Sequence, residues 1–320
     1  MFDTYSQILS SRADGNSTDS DLLPESPYGY TPNRALSYIF LGAFLIAAVL
    51  HLGQAVFSRR WFLLYTVVLS GILEVFGWYG RLWSSREVLK STPYTIQFVC
   101  TVIAPTPLLA ANFVIFGRII RRLGTTYSRL RPRLYTKIFF TSDVIGLFVQ
   151  AGGGVIASGT NKPKKTVDLG LNIMLAGIIF QMMIIVSFSL LSYKFFQHHS
   201  QDKSVRPLGQ GETPRGRIEG KIQLLIYALA FNTVLLFLRA IYRTAELADG
   251  FGPGKIISIE WLFLVFDALM VLLATVTYNV FHVGRLMESE EVFMLKLKGS
   301  NTFNPSSSDV ALNGMKLQYA

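Results

Sequence analysis

The stretch that decides the fold of this chain runs from Leu169 to Tyr193 and reads LGLNIMLAGIIFQMMIIVSFSLLSY. It contains no Asp, Glu, Lys or Arg, and it is longer than the roughly 20 apolar residues that a helix needs to cross a bilayer. Six other segments share this length and apolar character, so the sequence predicts seven membrane-spanning helices. The predicted spans are Leu36–Phe57, Trp61–Trp83, Tyr94–Phe116, Tyr135–Ser158, Leu169–Tyr193, Ile222–Tyr242 and Ile256–Phe281.

The composition indicates the same class of protein. Of 320 residues, 51% are hydrophobic and only 16% are charged, whereas soluble domains carry about 25% charged residues. No span shows the two-residue alternation of an outer-membrane strand, so helices must satisfy the backbone hydrogen bonds inside the lipid. We therefore predict an all-α, polytopic membrane protein. It has a polar extracellular tail over residues 1–33, a seven-helix bundle over 34–283 and a mostly disordered cytoplasmic tail over 284–320.

The distribution of Lys and Arg predicts the direction of insertion. If the N-terminus lies outside, the cytoplasmic connections and the C-terminal tail hold 19 of the 30 basic residues, in keeping with the positive-inside rule. The sequence therefore predicts an external N-terminus and a cytoplasmic C-terminus. The acidic N-terminal tail contains the sequon Asn16-Ser17-Thr18, which predicts glycosylation at Asn16 on the outer side.

Ionisable side chains occur within the predicted spans, where each costs roughly 2.5–3.5 kcal/mol on insertion scales. Four pairs of polar residues are spaced seven apart, which places both members on one helix face, two turns from each other. The pairs are Glu74 and Arg81, Asp143 and Gln150, Arg239 and Glu246, and Glu260 and Asp267. Four helices thus carry one polar stripe each. Because such stripes avoid lipid, we expect them to converge on one interior site.

Depth in the predicted topology divides the candidate site residues into two groups. An outer charge cluster balances three acids against three bases, and we expect its members to pair across helices. This cluster either holds the helices together through ion pairs or contacts the substrate, and the sequence does not decide between these two roles. It consists of Glu74, Arg81, Arg239, Arg243, Glu246 and Glu260. The candidate translocation residues are Asp143, Gln150, Asp267, His51, Gln97 and Gln181.

Asp143 and Asp267 are the main candidates in the second group. Neither has a neighbouring base in the sequence, so we expect an acidic cavity in which each carries a proton or attracts a cationic part of a substrate. Neutralising a lone buried acid relieves its desolvation cost. Replacement of Asp267 by Asn is therefore expected to leave folding intact or slightly improved.

Proline and glycine residues mark two further features of the spans. Ala104-Pro105-Thr106-Pro107 is predicted to break the third span near its middle, because Pro107 removes a backbone hydrogen bond and kinks the helix. Gly152-Gly153-Gly154 ends the fourth span and favours close approach of helices. Ordinary membrane-helix packing explains each signal. A hinge or a lateral opening beside the polar stripes is the functional alternative.

Seven short motifs follow one another along the chain. They are Tyr28-Gly29-Tyr30-x-Pro32, Glu74-x-x-Gly77-Trp78-x-x-Arg81, Ala104-Pro105 with Gly117-Arg118, Asp143-(six residues)-Gln150-x-Gly152-Gly153-Gly154, Gly177-x-x-x-Gln181, Arg239-x-x-Tyr242-Arg243-x-x-Glu246-x-x-x-Gly250 and Glu260-(six residues)-Asp267-x-x-Met270. With these motifs in a seven-helix topology, residues 28–285 resemble the fungal RTA-like family, also called lipid-translocating exporters. Phe113 and Gly146 stand where that pattern has Tyr and Ser.

The resemblance implies a fungal membrane protein. Members of the family are linked to translocation of sphingoid long-chain bases or phospholipids, to porphyrin uptake, and to resistance against sterol-like and other amphiphilic toxins. We therefore expect a plasma-membrane transporter that moves a lipid-like amphiphile across or between leaflets and confers tolerance to it. The alternative is a seven-helix lipid or stress sensor that regulates other transporters. No catalytic residue, cofactor, metal or nucleic-acid partner is expected, and the oligomeric state is open.

Other seven-helix classes fit the sequence less well. A rhodopsin-type pigment needs a Schiff-base lysine in its last helix, and no Lys lies between Lys255 and Lys296. A rhodopsin-like receptor fixes an extracellular loop with a disulfide, for which Cys100 has no partner. An intramembrane metallohydrolase needs several histidines within the spans, and only His51 lies well inside one.

Overall fold

The computed structural model describes residues 28, 30–157, 163–207, 212–250 and 255–286. Within these residues the predicted all-α architecture is confirmed, with seven helices long and apolar enough to cross a membrane and no strand. The seven helices are α1 (Arg34–Phe57), α2 (Trp61–Ser84), α3 (Thr92–Leu123), α4 (Pro132–Ala157), α5 (Lys164–Ser200), α6 (Gly220–Asp249) and α7 (Glu260–Leu286). The sequon at Asn16 and most of both predicted tails lie outside the described residues.

Helix α3 forms the centre of the bundle. Nearly every side chain from Pro105 to Ile120 is buried, and the ring of Phe116 is in edge-on contact with Tyr135 of α4 and Phe188 of α5. The outer helices instead present large apolar side chains, among them Phe57 and Phe148, on their outward faces. This arrangement is typical of a bundle whose solvent is lipid.

The predicted break in α3 is confirmed, although its position differs from the expectation. The helix consists of segments Ser91–Ile103 and Pro105–Leu123, which meet at Ala104. The expectation placed the kink at Pro107. That residue lies instead in the first turn of the second segment, where proline is tolerated because the first backbone N–H groups need no helical acceptor.

Helices α2 and α7 each contain a stretch of π-helix. The stretches are Leu64–Val68 in α2 and Leu264–Leu269 in α7. A π-helical turn holds more residues than an α-helical turn, so it rotates the side chains that follow it. Asp267 lies inside the second stretch. Its side chain therefore need not lie on the same helix face as Glu260, although the two residues are seven apart.

Helices α4 and α5 pack tightly through glycines. A Cβ atom on Gly153 would lie 2.6 Å from the backbone nitrogen of Met174 and 2.7 Å from the carbonyl oxygen of Gly170. A Cβ atom on Gly152 would meet nothing within 4 Å. The expected close approach is thus confirmed at the middle glycine of the Gly152–Gly154 run.

Helix α5 is longer than its apolar stretch. The predicted span ends at Tyr193, whereas the helix continues to Ser200. Its last turns are held by packing at one end of the bundle, where Phe195 and His199 are buried and the His199 Nε2 atom lies 3.1 Å from the carbonyl oxygen of Gly216. Hydropathy marks the part of a helix that lies in lipid, and it does not detect such an extension.

Candidate functional site

The charged residues of α6 and α7 form one buried ion cluster. The Arg243 guanidinium binds the Asp267 carboxylate through two hydrogen bonds, Nε to Oδ1 at 2.9 Å and Nη2 to Oδ2 at 2.7 Å. The Nε atom of Arg239 lies 2.8 Å from the same Oδ1 atom. Arg243 Nη1 also donates to Glu246 Oε2 at 2.8 Å. We call these four residues the α6–α7 ion cluster; it contains two bases and two acids.

The expectation that Asp267 has no cation partner is therefore wrong. The residue is 2% exposed, and its side chain contacts two arginines. The spacing of residues along α7 does not show these partners, because they lie on α6, 24 or more positions earlier in the sequence. Such a bidentate pair is among the strongest hydrogen-bonded contacts in proteins.

Arg239 also connects the ion cluster to the break in α3. Pro105 has no backbone N–H, so the carbonyl group of Thr101, four residues earlier, has no donor within the helix. Arg239 Nη2 donates to that carbonyl oxygen at 2.7 Å, and Arg243 Nη2 donates to the Thr101 hydroxyl at 3.2 Å. Two side chains of α6 thus stabilise the interrupted backbone of α3. The sequence signal for Thr101 is its position four residues before a proline.

A second group of polar residues surrounds Arg81. Its Nη2 atom lies 2.8 Å from Glu260 Oε1 and donates to the hydroxyl of Tyr30 at 2.8 Å. The guanidinium carbon lies 4.7 Å from the ring centre of Phe263, a cation–π contact. The predicted cross-helix pairing is confirmed for Arg81 and Glu260, which belong to α2 and α7.

Gln97, a predicted translocation residue, belongs to this Arg81 group. Its Oε1 atom accepts hydrogen bonds from the Tyr28 hydroxyl at 2.5 Å and from Arg81 Nη1 at 3.4 Å. The Tyr28 oxygen also lies 3.0 Å from the Ser84 hydroxyl oxygen, and burial raises the pKa of the Tyr28 phenol to about 12. Tyr28 and Tyr30 therefore pack over the ends of α2 and α3 at the end of the bundle where α1 begins.

Glu74 does not follow the expected pairing. The side chain is 2% exposed, and it makes no ion pair within 4 Å with any described residue, although Asp267, Arg239 and Arg243 lie within electrostatic range of it. Of the six residues predicted as an outer charge cluster, five form ion pairs and Glu74 does not.

Three predicted translocation residues lie together between α4 and α5. Gln150 Nε2 donates to Gln181 Oε1 at 2.7 Å, and Gln181 Nε2 donates to the backbone oxygen of Asp143 at 3.1 Å. Asp143 is 1% exposed, and its Oδ2 atom has no hydrogen-bond partner among the described residues. Asp143 thus forms no ion pair within 4 Å with a described residue, although Arg239 lies within electrostatic range of it.

Asp143, Gln150 and Gln181 line a cavity of about 40 Å³ between α3, α4, α5 and α6. The remaining polar lining includes Thr106 beside the α3 break, and Arg239 and Arg243 of the ion cluster. We call this space the Asp143 cavity. A buried water needs roughly 10–15 Å³ on the same measure, so the cavity admits a few waters or a small polar group but no alkyl chain in this conformation.

His51 lies elsewhere in the bundle. Its side chain is fully buried, and its Nε2 atom lies 2.9 Å from the carbonyl oxygen of Thr275, so it joins α1 to α7. It does not line the Asp143 cavity. The structure therefore brings together Asp143, Gln150 and Gln181, and separates from them His51 and Gln97.

A further polar network was not predicted as a unit. The Asn112 side chain of α3 donates to Asn232 and to Thr233 of α6, each at 3.2 Å, and accepts from the Tyr278 hydroxyl of α7 at 2.5 Å. Asn232 donates to the carbonyl oxygen of Ala274 at 2.7 Å. The signal in the sequence is one Asn in each of two apolar spans. Tyr278, the partner of Asn112 on α7, gives no such signal, because tyrosine is common in membrane helices.

Comparison with known proteins identifies the family. The family model described as "RTA1 like protein" matches residues 67–290. The chain is 29% identical to the sphingoid long-chain base transporter RSB1 of Saccharomyces cerevisiae, over 84% of this chain and 78% of that protein. It is 26% identical to protoporphyrin uptake protein 1 of the same yeast, over 79% of this chain and 90% of the relative.

A third yeast relative, protein RTM1, is 30% identical over 65% of this chain and 63% of its own length. No solved structure matches the chain. The family match covers most of the chain, including six of the seven helices in whole or in large part. The resemblance seen in the sequence motifs is thereby confirmed, and this multi-pass membrane protein belongs to the RTA1-like protein family.

Proposed function

We propose that the protein is a transporter for an amine-bearing, lipid-like amphiphile such as a sphingoid long-chain base, and that the Asp143 cavity receives the polar headgroup. The observation that carries the proposal is the buried Asp143 carboxylate, which has an oxygen without a hydrogen-bond partner among the described residues and lines a polar cavity. The likeness to a protein named as a sphingoid long-chain base transporter supports the choice of cargo.

The charges around the cavity favour a cationic headgroup. Arg239 and Arg243 also line it, but their charges are balanced by Asp267 and Glu246 at 2.7–2.8 Å. Asp143 forms no ion pair within 4 Å with a described residue, although Arg239 lies within electrostatic range. An ammonium group would therefore be attracted where a carboxylate or phosphate would be repelled. The amide groups of Gln150 and Gln181 can donate to or accept from the hydroxyl groups beside the amine of a sphingoid base.

The proposed movement separates headgroup and chain. The cavity has room for a small polar group only, so the alkyl chain stays between helices or in lipid while the headgroup passes Asp143. Widening the cavity requires motion of its walls, and the break at Ala104 supplies a place where α3 can bend. We place this activity in the plasma membrane, with tolerance to the amphiphile as its physiological effect and no catalytic step.

The direct test is flip of a labelled sphingoid base in vesicles containing the purified protein. We expect the protein to expose the labelled base to an external quencher faster than empty vesicles do. The N-acetylated base is the matched control: it keeps the chain and hydroxyls but loses the positive charge, so its flip should not be accelerated. Equal acceleration of both would contradict recognition of the amine. Saturable binding without flip would favour the alternative function, a lipid sensor.

A further inference from the structure

The residues just before α1 form an extended segment across one end of the bundle. Pro32 has no backbone N–H and keeps the residue before it out of the helical conformation. The Asn33 side chain accepts hydrogen bonds from the first backbone N–H groups of α1 and so caps that helix. We call Tyr28 and residues 30–33 the N-terminal strap. Because the strap lies outside the helix, it can move about the Asn33 cap without unwinding α1.

The N-terminal strap is attached to three helices. Tyr28 is 4% exposed, and its ring meets that of Tyr94 on α3 edge-on, with 4.8 Å between the ring centres. The Tyr28 oxygen lies 3.0 Å from the hydroxyl oxygen of Ser84, the last residue of α2. The backbone N–H of Asn33 donates to Glu260 Oε1, at the start of α7, at 2.9 Å. The strap therefore lies over the ends of α2, α3 and α7.

A continuous series of side-chain contacts joins the strap to the Asp143 cavity. The Tyr30 hydroxyl accepts from Arg81 Nη2 at 2.8 Å. The ring centre of Phe263 lies 4.7 Å from the guanidinium carbon of Arg81 and 5.4 Å from that of Arg243. Arg243 in turn lines the Asp143 cavity. Arg81 and Phe263 are 1% and 5% exposed, so the space between the strap and the cavity is filled by protein.

We propose that the N-terminal strap is a gate, closed in this conformation, which leaves the ends of α2, α3 and α7 when a headgroup passes between the Asp143 cavity and this side of the membrane. Arg81 donates to Tyr30 of the strap and to Glu260, which also accepts from the strap. Departure of the strap therefore removes part of the hydrogen bonding that holds Arg81 over Phe263. The inference rests on the proposed function, since it names the segment that controls that movement.

The first test locks the strap in place. The variant Y28C/S84C is made in a C100S background, because Cys100 is the single native cysteine. A short, reducible reagent that reacts with two thiols then bridges the introduced pair in place of the two native side chains. We expect the bridge to lower flip of labelled sphingoid base to the rate of empty vesicles, and reduction of the bridge to restore it.

The matched controls for the lock are Y28C and S84C alone. Each reacts with the same reagent but cannot form the bridge, so each should keep the flip rate that it has before treatment. Flip by the bridged protein at the rate of the unbridged double variant would overturn the gate.

The second test needs no cargo. In the C100S background, the rate at which a water-soluble thiol reagent labels S84C reports how often the strap leaves α2. S70C is the matched control, because Ser70 is also a fully buried serine of α2 but lies away from the strap. We expect labelling of S84C in the folded protein and none of S70C. Y28F/S84C should be labelled about tenfold faster, since the strap loses the hydrogen bonds of one hydroxyl.

The two tests separate failure of the gate from failure of the proposed function. Labelling of S84C no faster than that of S70C would overturn the gate, whether or not the protein flips lipid. Selective labelling of S84C by a protein that shows no flip before bridging would support an opening strap and contradict the proposed transport.

Discussion

Two buried carboxylates at the centre of the bundle differ in their partners, and we propose different roles for them on this basis. Asp267 binds Arg239 and Arg243, whereas Asp143 has no ion pair with a described residue and lines the cavity. Both positions could be recognised in the sequence as acids inside apolar spans. Their partners could not, because the spacing of residues along one helix carries no information on which side chains face it from another.

Replacement of Asp267 by Asn is therefore expected to destabilise the protein. Among the described residues it would leave Glu246 as the one acid in an ion pair with these two buried guanidinium groups, and breaking a buried pair costs roughly 3–5 kcal/mol. We expect D267N to reduce the yield of monodisperse protein in size-exclusion chromatography and to lower its melting temperature. D143N, which breaks no ion pair, is the matched control and should keep the wild-type yield. Wild-type yield and melting temperature for D267N would show that the pair is dispensable.

At the scale of the elements, the sequence located the helices well and their contacts poorly. All seven spans, the α3 break and the glycine-rich end of α4 were predicted, since apolar length, proline and glycine are local signals. The π-helical stretches in α2 and α7 and the extension of α5 to Ser200 were not. These features depend on tertiary contacts, such as the burial of Phe195 and His199, that the local sequence does not encode.

The close packing of α4 on α5 predicts opposite effects for two neighbouring glycines. G153A places a methyl group 2.6 Å from the Met174 backbone nitrogen, and such overpacking costs about 1–3 kcal/mol. G152A meets nothing within 4 Å and removes a flexible residue from a helix. We expect a lower melting temperature for G153A and an unchanged or higher one for G152A. A melting temperature of G153A equal to or above that of G152A would contradict the close packing of α4 on α5.

The break in α3 predicts a functional effect of its proline. P105A restores a backbone N–H opposite the Thr101 carbonyl, which then no longer needs Arg239. We expect P105A to keep or raise the melting temperature while slowing flip of a labelled sphingoid base several-fold, because α3 loses its bend. P107A is the control. It restores the backbone N–H opposite the carbonyl of Ile103, whereas Arg239 binds the carbonyl of Thr101. Undiminished flip by P105A would remove the bend from the proposed movement.

At the scale of the whole molecule, the unequal distribution of basic residues predicts how the bundle sits in the membrane. The dense group of arginines at the end of α3 and in its connection to α4 is expected to face the cytoplasm. A tag after Ala320 should therefore be cleaved by added protease only after permeabilisation, and Asn16 should carry glycan removable by a glycosidase. Cleavage of the tag in intact cells would reverse the orientation, while leaving the helix contacts unchanged.

The central claim is that the Asp143 carboxylate recognises an amine as it crosses the bilayer, and flip in vesicles containing D143N tests it most directly. D168N is the matched control, since Asp168 is exposed near the start of α5. Losing one charge-assisted hydrogen bond of about 1.5–3 kcal/mol corresponds to a decrease of roughly 10- to 100-fold. We predict that decrease in the flip of labelled sphingoid base by D143N, with wild-type yield of folded protein and wild-type flip by D168N. Wild-type flip by folded D143N would contradict the account.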